Sequence, residues 1–212
     1  MKLRFQPLIV AVGIFLLLNS FCFTDENNLF FSIVKKGGLR FYKPSSTKEV
    51  ALIHNDELNY QYAIKDTLNN MEIRYLVYPL QEMVNHYNGP HADTGIERID
   101  PNFMHTNLLL AYAYRVQGKE MSMDVNMPEI NEISHAAIDK AFHADWGAYV
   151  NIQPCDEFAQ KYKYCTIWAI HKDDLADAFI IYLYDDKDAF LLQKPFEAGA
   201  DAEFSTLVFQ RY

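Results

Sequence analysis

The chain has 212 residues, 19 basic against 28 acidic, with 50% hydrophobic and 15% aromatic content. That composition belongs to a folded globular protein and excludes a disordered or collagen-like chain. The acidic balance repels phosphate backbones and speaks against nucleic-acid binding. The densest cationic stretch, Lys35, Lys36, Arg40 and Lys43, reads as a solvated edge strand.

Met1, Lys2, Leu3 and Arg4 precede an apolar run from Leu8 to Leu18, which gives way to Asn19 and Ser20. This is the layout of a secretory signal. As a helix the run rises only about 16 Å, roughly half the hydrocarbon thickness of a bilayer, so a permanent transmembrane helix is disfavoured. We therefore expect residues 1–22 to be a signal peptide and residues 23–212 a single exported domain, periplasmic or extracellular. Two processing routes stay open. Ser20 and Cys22 lie three and one before a cut after Cys22, which suits ordinary signal peptidase. An apolar run ending in cysteine also resembles a bacterial lipoprotein signal, in which Cys22 carries lipid and attaches the chain to a membrane. Phe21 weighs against that route, because the residue before a lipidated cysteine is normally small. Removing the leader takes away Lys2 and Arg4, leaving 17 basic against 28 acidic residues and a net charge of −11.

The remainder has no long Pro/Gly/Ser linker, repeat or low-complexity tract, and it is large enough to bury a core without metal help. Residues Leu29 to Val34, the Gly37-Gly38 turn and Leu39 to Tyr42 read as a hairpin, followed by Val50 to His54 as a strand. In Leu58 to Lys65, Tyr60, Tyr62 and Ile64 alternate with Asn59, Gln61 and Ala63. After the Asp66 to Asn70 turn, Met71, Ile73, Tyr75 and Val77 alternate with Glu72 and Arg74, completing a second hairpin. The period then changes. Phe103 to Val116 reads as a helix with Phe103, Asn107, Leu110, Ala111 and Tyr114 on one stripe, widened by Leu108, Leu109 and Tyr112, and stopped by Gly118. A second helix is expected from Pro128 to about His143, with Ile130, Ile133, Ala137, Ile138 and Ala141 inward.

Trp146 to Ile152, Tyr164 to His171 and Ala178 to Tyr184 read as strands, the last two apolar on both sides in the manner of central strands covered on both faces. Asp188 to Lys194 reads as a helix, and Phe204 to Phe209 as a short strand or helix. The fold class expected is α+β, a three-layer α/β/α sandwich with a largely antiparallel central sheet.

The segment Leu29 to Tyr42, the strands Tyr60-Gln61-Tyr62-Ala63-Ile64 and Glu72-Ile73-Arg74-Tyr75, and the late strands from Trp146 to Tyr184 occur in an order that resembles the Mog1/PsbP-type sandwich. The resemblance spans most of the exported chain and rests on element order and strand texture. It implies a non-enzymatic binding or accessory module, with no functional residue carried across.

The chemistry-bearing residues are scattered. The seven histidines, His54, His86, His91, His105, His135, His143 and His171, form no HExxH-type signature. His135 and His143 differ in helical direction by about 80°, and His143 with Asp145 reads as a helix end stabilised by the dipole more readily than as an acid/base couple. His86 and His91 flank Asn88-Gly89-Pro90 in an expected loop with Asp93 close by, the best metal candidate, though a solvated turn explains it equally. Two acid clusters, Asp173, Asp174 and Asp177, and Asp185, Asp186 and Asp188, invite a calcium reading. Counted from Asp186, however, an EF-hand's sixth position is Leu191 where glycine is needed, although the twelfth is Glu197. Turn formation and helix capping account for both clusters.

No GxSxG, GxGxxG, P-loop or CxxC motif occurs. No catalytic residue, cofactor or metal ligand is therefore assigned. With Cys22 removed or modified, Cys155 and Cys165 remain, and an oxidising compartment leads us to expect a disulfide between them. The 31 aromatic residues belong mainly to the core, and an exposed subset would make a recognition surface. The expectation is an exported module that binds a protein or small molecule. The alternative is a hydrolase or metal-dependent enzyme whose groups meet only in the fold.

Overall fold

The computed structural model describes residues 28–53, 58–89, 99–119, 127–187 and 206–211. The expected leader with Cys22, residues His54, His91 and Asp93, and the helix expected over Asp188 to Lys194 lie outside the described residues.

The molecule is α+β and is built on a seven-stranded antiparallel sheet. Its strands are β2 (Thr47–Glu49), β3 (Tyr62–Asp66), β4 (Met71–Pro79), β5 (Asn131–Glu132), β6 (Trp146–Ile152), β7 (Tyr164–Lys172) and β8 (Ala176–Tyr184), in the order β2-β3-β4-β8-β7-β6-β5. The three long apolar strands β4, β8 and β7 are neighbours in its middle, where both faces must be covered. A separate two-stranded ribbon pairs β1 (Leu39–Phe41) with β9 (Leu207–Phe209). The helices are α1 (28–36), α2 (Gln81–Asn88), α3 (His105–Val116), α4 (His135–Phe142) and the single turn α5 (Asp156–Ala159), with a 3-10 turn at Pro101–Phe103.

Successive strand residues enter different cores. Met71, Ile73, Tyr75 and Val77 of β4, Trp168 and Ile170 of β7, and Ala178 and Ile180 of β8 join Phe30 and Val34 of α1 and Ile138, Ala141 and Phe142 of α4. Leu76 of β4, Cys165, Ile167 and Ala169 of β7, and Phe179, Ile181 and Leu183 of β8 join Leu109, Tyr112, Ala113 and Val116 of α3 and Phe158 and Ala159 of α5. The pleat's period of two thus feeds two clusters from the same strands.

Several expectations are corrected. Residues 28–36 form a helix where Leu29 to Val34 was expected to be a strand, because Phe30, Ile33 and Val34 stand at helical spacing against one core. The two glycines end that helix: Gly38 takes φ 69°, a left-handed conformation that a side chain disfavours. Val50 to Ile53 is not a strand, and the sheet edge is Thr47–Glu49 instead. The second helix starts at His135, not Pro128. Ile130 and Ile133 pack into different clusters, as an extended segment requires, and Asn131–Glu132 pairs with β6 as an edge strand. On α3 the buried residues are Leu109, Tyr112, Ala113, Tyr114 and Val116, so Tyr114 of the expected stripe is inward; Phe103 belongs to the preceding 3-10 turn and is 73% exposed.

Candidate metal centre

The β7–β8 hairpin turns through Asp173, Asp174 and Leu175, with Asp174 in the left-handed region at φ 61°. His171 and Asp177 are equidistant from that turn and are cross-strand partners. Both follow the parity of Ile167, Ala169, Phe179 and Ile181, which places them on the face that α3 covers. The start of α3 is pinned to the same hairpin tip by a reciprocal clasp. The Asn102 amide donates to Asp174 Oδ1 at 3.0 Å, and the Asp174 backbone N–H donates to Asn102 Oδ1 at 2.9 Å. Asp100 caps the turn below by accepting from the Asn102 N–H at 2.9 Å.

This arrangement lays His105, the first residue of α3, between two rings. Its centroid is 4.3 Å from His171 and 4.3 Å from Trp146. His171 is 2% exposed and contacts a carboxylate at each ring nitrogen: Nδ1 to Asp177 Oδ1 at 2.6 Å, and Nε2 to Asp173 Oδ1 at 2.9 Å. Burial pulls the His171 pKa down, but the hydrogen bonds and charges of Asp177 and Asp173 outweigh it and hold the ring above its ordinary value. His105 is shifted the other way. Burial, reinforced by the neighbouring His171, lowers it, with Asp177, Asp173 and the Asn102 backbone opposing in part.

Two buried atoms in this cluster lack a hydrogen-bond partner: His105 Nδ1 and Asp177 Oδ2. One ring nitrogen from each histidine and one carboxylate oxygen of Asp177 all lie within 4.8 Å of one another. Two imidazoles and a carboxylate form a donor set suited to a divalent transition metal.

The residues singled out in the sequence take other places. His143 is the left-handed cap of α4, as a helix-end histidine; its Nδ1 donates to the Phe209 carbonyl at 2.9 Å, tying α4 to the ribbon. Asp145 accepts from the Asp173 backbone N–H at 3.0 Å and from Lys172 at 3.4 Å, bracing the hairpin. His143 and Asp145 thus serve separate contacts. His135 is exposed at the start of α4. His86 lies on a helix, α2, not in a loop, while His91 and Asp93 are outside the described residues. Asp174 forms a turn as expected, whereas Asp177 is fully buried against His171. Asp185 accepts from the Lys163 N–H and the Asn70 amide.

The expected Cys155–Cys165 bridge is not formed. Cys165 points from β7 into the α3-side core, where burial pushes its pKa well up, and Cys155 opens α5 with its backbone N–H on the Val116 carbonyl at 2.8 Å.

Sequence reasoning missed the cluster itself. Its one legible signal was that His171 and Asp177 stand symmetrically about Asp174; His105 arrives from a different element and left no local trace.

Concavities among the described residues lie elsewhere. One of about 440 Å³, between α2 and the 3-10 turn, is lined by Glu82, Met83, His86, Tyr87, Ile99 and Pro101. Another of about 480 Å³ beside the ribbon is lined by Arg40, Tyr42, His143, Phe209 and Arg211 among others. No helix among the described residues is long and apolar enough to cross a membrane. No protein-family model matches the chain, and no curated protein matches it.

Proposed function

We propose that the chain is an exported accessory protein, a recognition module of Mog1/PsbP-like three-layer α/β/α design that binds an apolar ligand or the apolar side chains of a protein partner. The concavity between α2 and the 3-10 turn carries this reading. Met83 and Ile99 line it while remaining 44% and 69% exposed, with Tyr87 and Pro101 completing the wall. Large apolar side chains left in water around a hollow are costly unless something covers them, and methionine adapts to varied shapes. The sandwich is supported by the division of strand residues between two cores, one holding α1 and α4 and the other α3 and α5. The leader-like residues 1–22 support export, with lipid on Cys22 as the membrane-attached form.

An enzyme is the second reading, favoured by the paired His171 and Asp177. A general base needs a ring nitrogen free to take a proton at substrate. His171 has both nitrogens on carboxylates and is closed to solvent, which weighs for the module.

The test is binding of an environment-sensitive apolar dye to the full chain, in parallel with fractionation of the expressing cell. Dye fluorescence should rise on the wild type and fall at least several-fold in Ile99→Lys and Met83→Glu, with circular dichroism unchanged. Equal dye binding by those variants, or recovery of an unprocessed chain in the cytosol, would overturn the corresponding half of the reading.

A further inference from the structure

We propose that His105, His171 and Asp177 bind one divalent transition-metal ion, Zn²⁺ by donor chemistry, where the first residue of α3 meets the β7–β8 hairpin. Three independent observations meet there. Asp177 is fully buried, yet its Oδ2 has no partner, and His105 Nδ1 is likewise buried and unpartnered. Buried polar atoms are nearly always satisfied, so two orphans within one cluster point to a ligand. The donor atoms are also already gathered within 4.8 Å. Donors held at about 2.0–2.2 Å from one tetrahedral ion stand roughly 3.3–3.6 Å apart, so closing on the ion needs side-chain movements of about 1 Å. Finally, the surroundings are braced as an outer shell should be. The Asn102–Asp174 clasp fixes α3 against the hairpin, Asp145 holds the Asp173 backbone, and the ring of Trp146 backs His105.

Two nitrogens and one oxygen favour Zn²⁺ over Ca²⁺ or Mg²⁺, which prefer oxygen donors throughout. Asp173, 68% exposed, contacts Nε2 at the end of the His171 ring opposite Asp177, so water would complete four-fold coordination. One His171 nitrogen becomes a ligand by exchanging its carboxylate contact for the ion. The bound ion cross-links a helix to a hairpin 66 residues away in the chain, joining His105 to His171. This site is independent of the apolar concavity.

The experiment uses the full chain, produced without a histidine tag and stripped with chelator, and Zn²⁺ alone as probe. Calorimetric titration should give one tight site per chain, Zn²⁺ should raise the melting temperature, and Co²⁺ should give the visible absorption of a tetrahedral site. His105→Phe keeps a ring against Trp146 while taking away the imidazole nitrogens; it should weaken the tight site by about tenfold or more and abolish the thermal shift. Asp177→Asn should do the same, but His105→Phe carries the result even where Asp177→Asn fails to fold. Zn²⁺ binding and thermal shift identical in wild type and His105→Phe would overturn the proposal, as would a wild type that Zn²⁺ does not stabilise.

Discussion

Arg74 has no exposed surface, on the face opposite Met71, Ile73, Tyr75 and Val77 where strand alternation placed it with Glu72. Its Nε donates to Glu72 Oε1 at 2.7 Å and its Nη1 to the Phe158 carbonyl at 2.7 Å, while the guanidinium lies 4.5 Å from the rings of both Tyr60 and Phe158. A planar cation suits this slot because it hydrogen-bonds at its edge and stacks on its faces. It also holds α5 to β4 through the Phe158 carbonyl. Removing one partner of a buried pair leaves the other charge uncompensated, so Arg74→Ala should cost about 3–5 kcal/mol. Arg74→Met combined with Glu72→Gln should recover much of that loss. Urea midpoints on the single and double variants check this, and a double variant less stable than Arg74→Ala would contradict it.

At the scale of elements, α4 approaches the sheet over Gly147 of β6. A Cβ there would meet Ile138 Cγ1 at 2.6 Å and overlap Cδ1 as well. The glycine therefore sets how closely helix and strand pack. Gly147→Ala should destabilise by about 1–3 kcal/mol through overpacking. In an Ile138→Val background, which removes the Cδ1 methyl, the same substitution should cost measurably less. Additive losses in a double-mutant cycle would show that the two positions do not meet. The α4 region also shows why element boundaries shifted from expectation: Ile130 and Ile133 fit a helical stripe by spacing alone, and only pairing with β6 makes that stretch extended.

Over the whole molecule, tyrosines fill the two cores. Tyr75 is completely buried, Tyr62 and Tyr162 nearly so, and burial raises all three; Tyr162 is pushed up to about 12. An unfolded tyrosine ionises near a pKa of about 10. The folded state therefore binds more protons than the unfolded state above that point. The stabilisation is fully present below pH about 10 and is lost as pH rises toward the folded values. Alkaline unfolding should begin just above pH 10, with tyrosinate absorbance and circular dichroism changing together. Ionisation of all tyrosines in a chain that stays folded would contradict it.

The sequence by itself determined the class of the fold and the position of its long central strands. Trp146–Ile152 stands as expected, and β4, β7 and β8 lie within two residues of the expected bounds at either end, because runs of apolar β-formers carry their own period and need no partner to be recognised. The α3 region was legible for the same reason, while α1, β2, β5 and the start of α4 were decided by packing, since short segments satisfy helical and extended patterns equally. Arg74 turned inward because a particular carboxylate, carbonyl and pair of rings awaited it, none of them visible in local alternation. The metal candidate was the least legible. His171 and Asp177 are joined by hairpin register, but His105 reaches them through the docking of α3 on the sheet, held by the clasp between Asn102 and Asp174, 72 residues apart. Chemistry assembled from distant elements is written in the tertiary structure, because no spacing rule links residues that meet only when a helix and a hairpin dock.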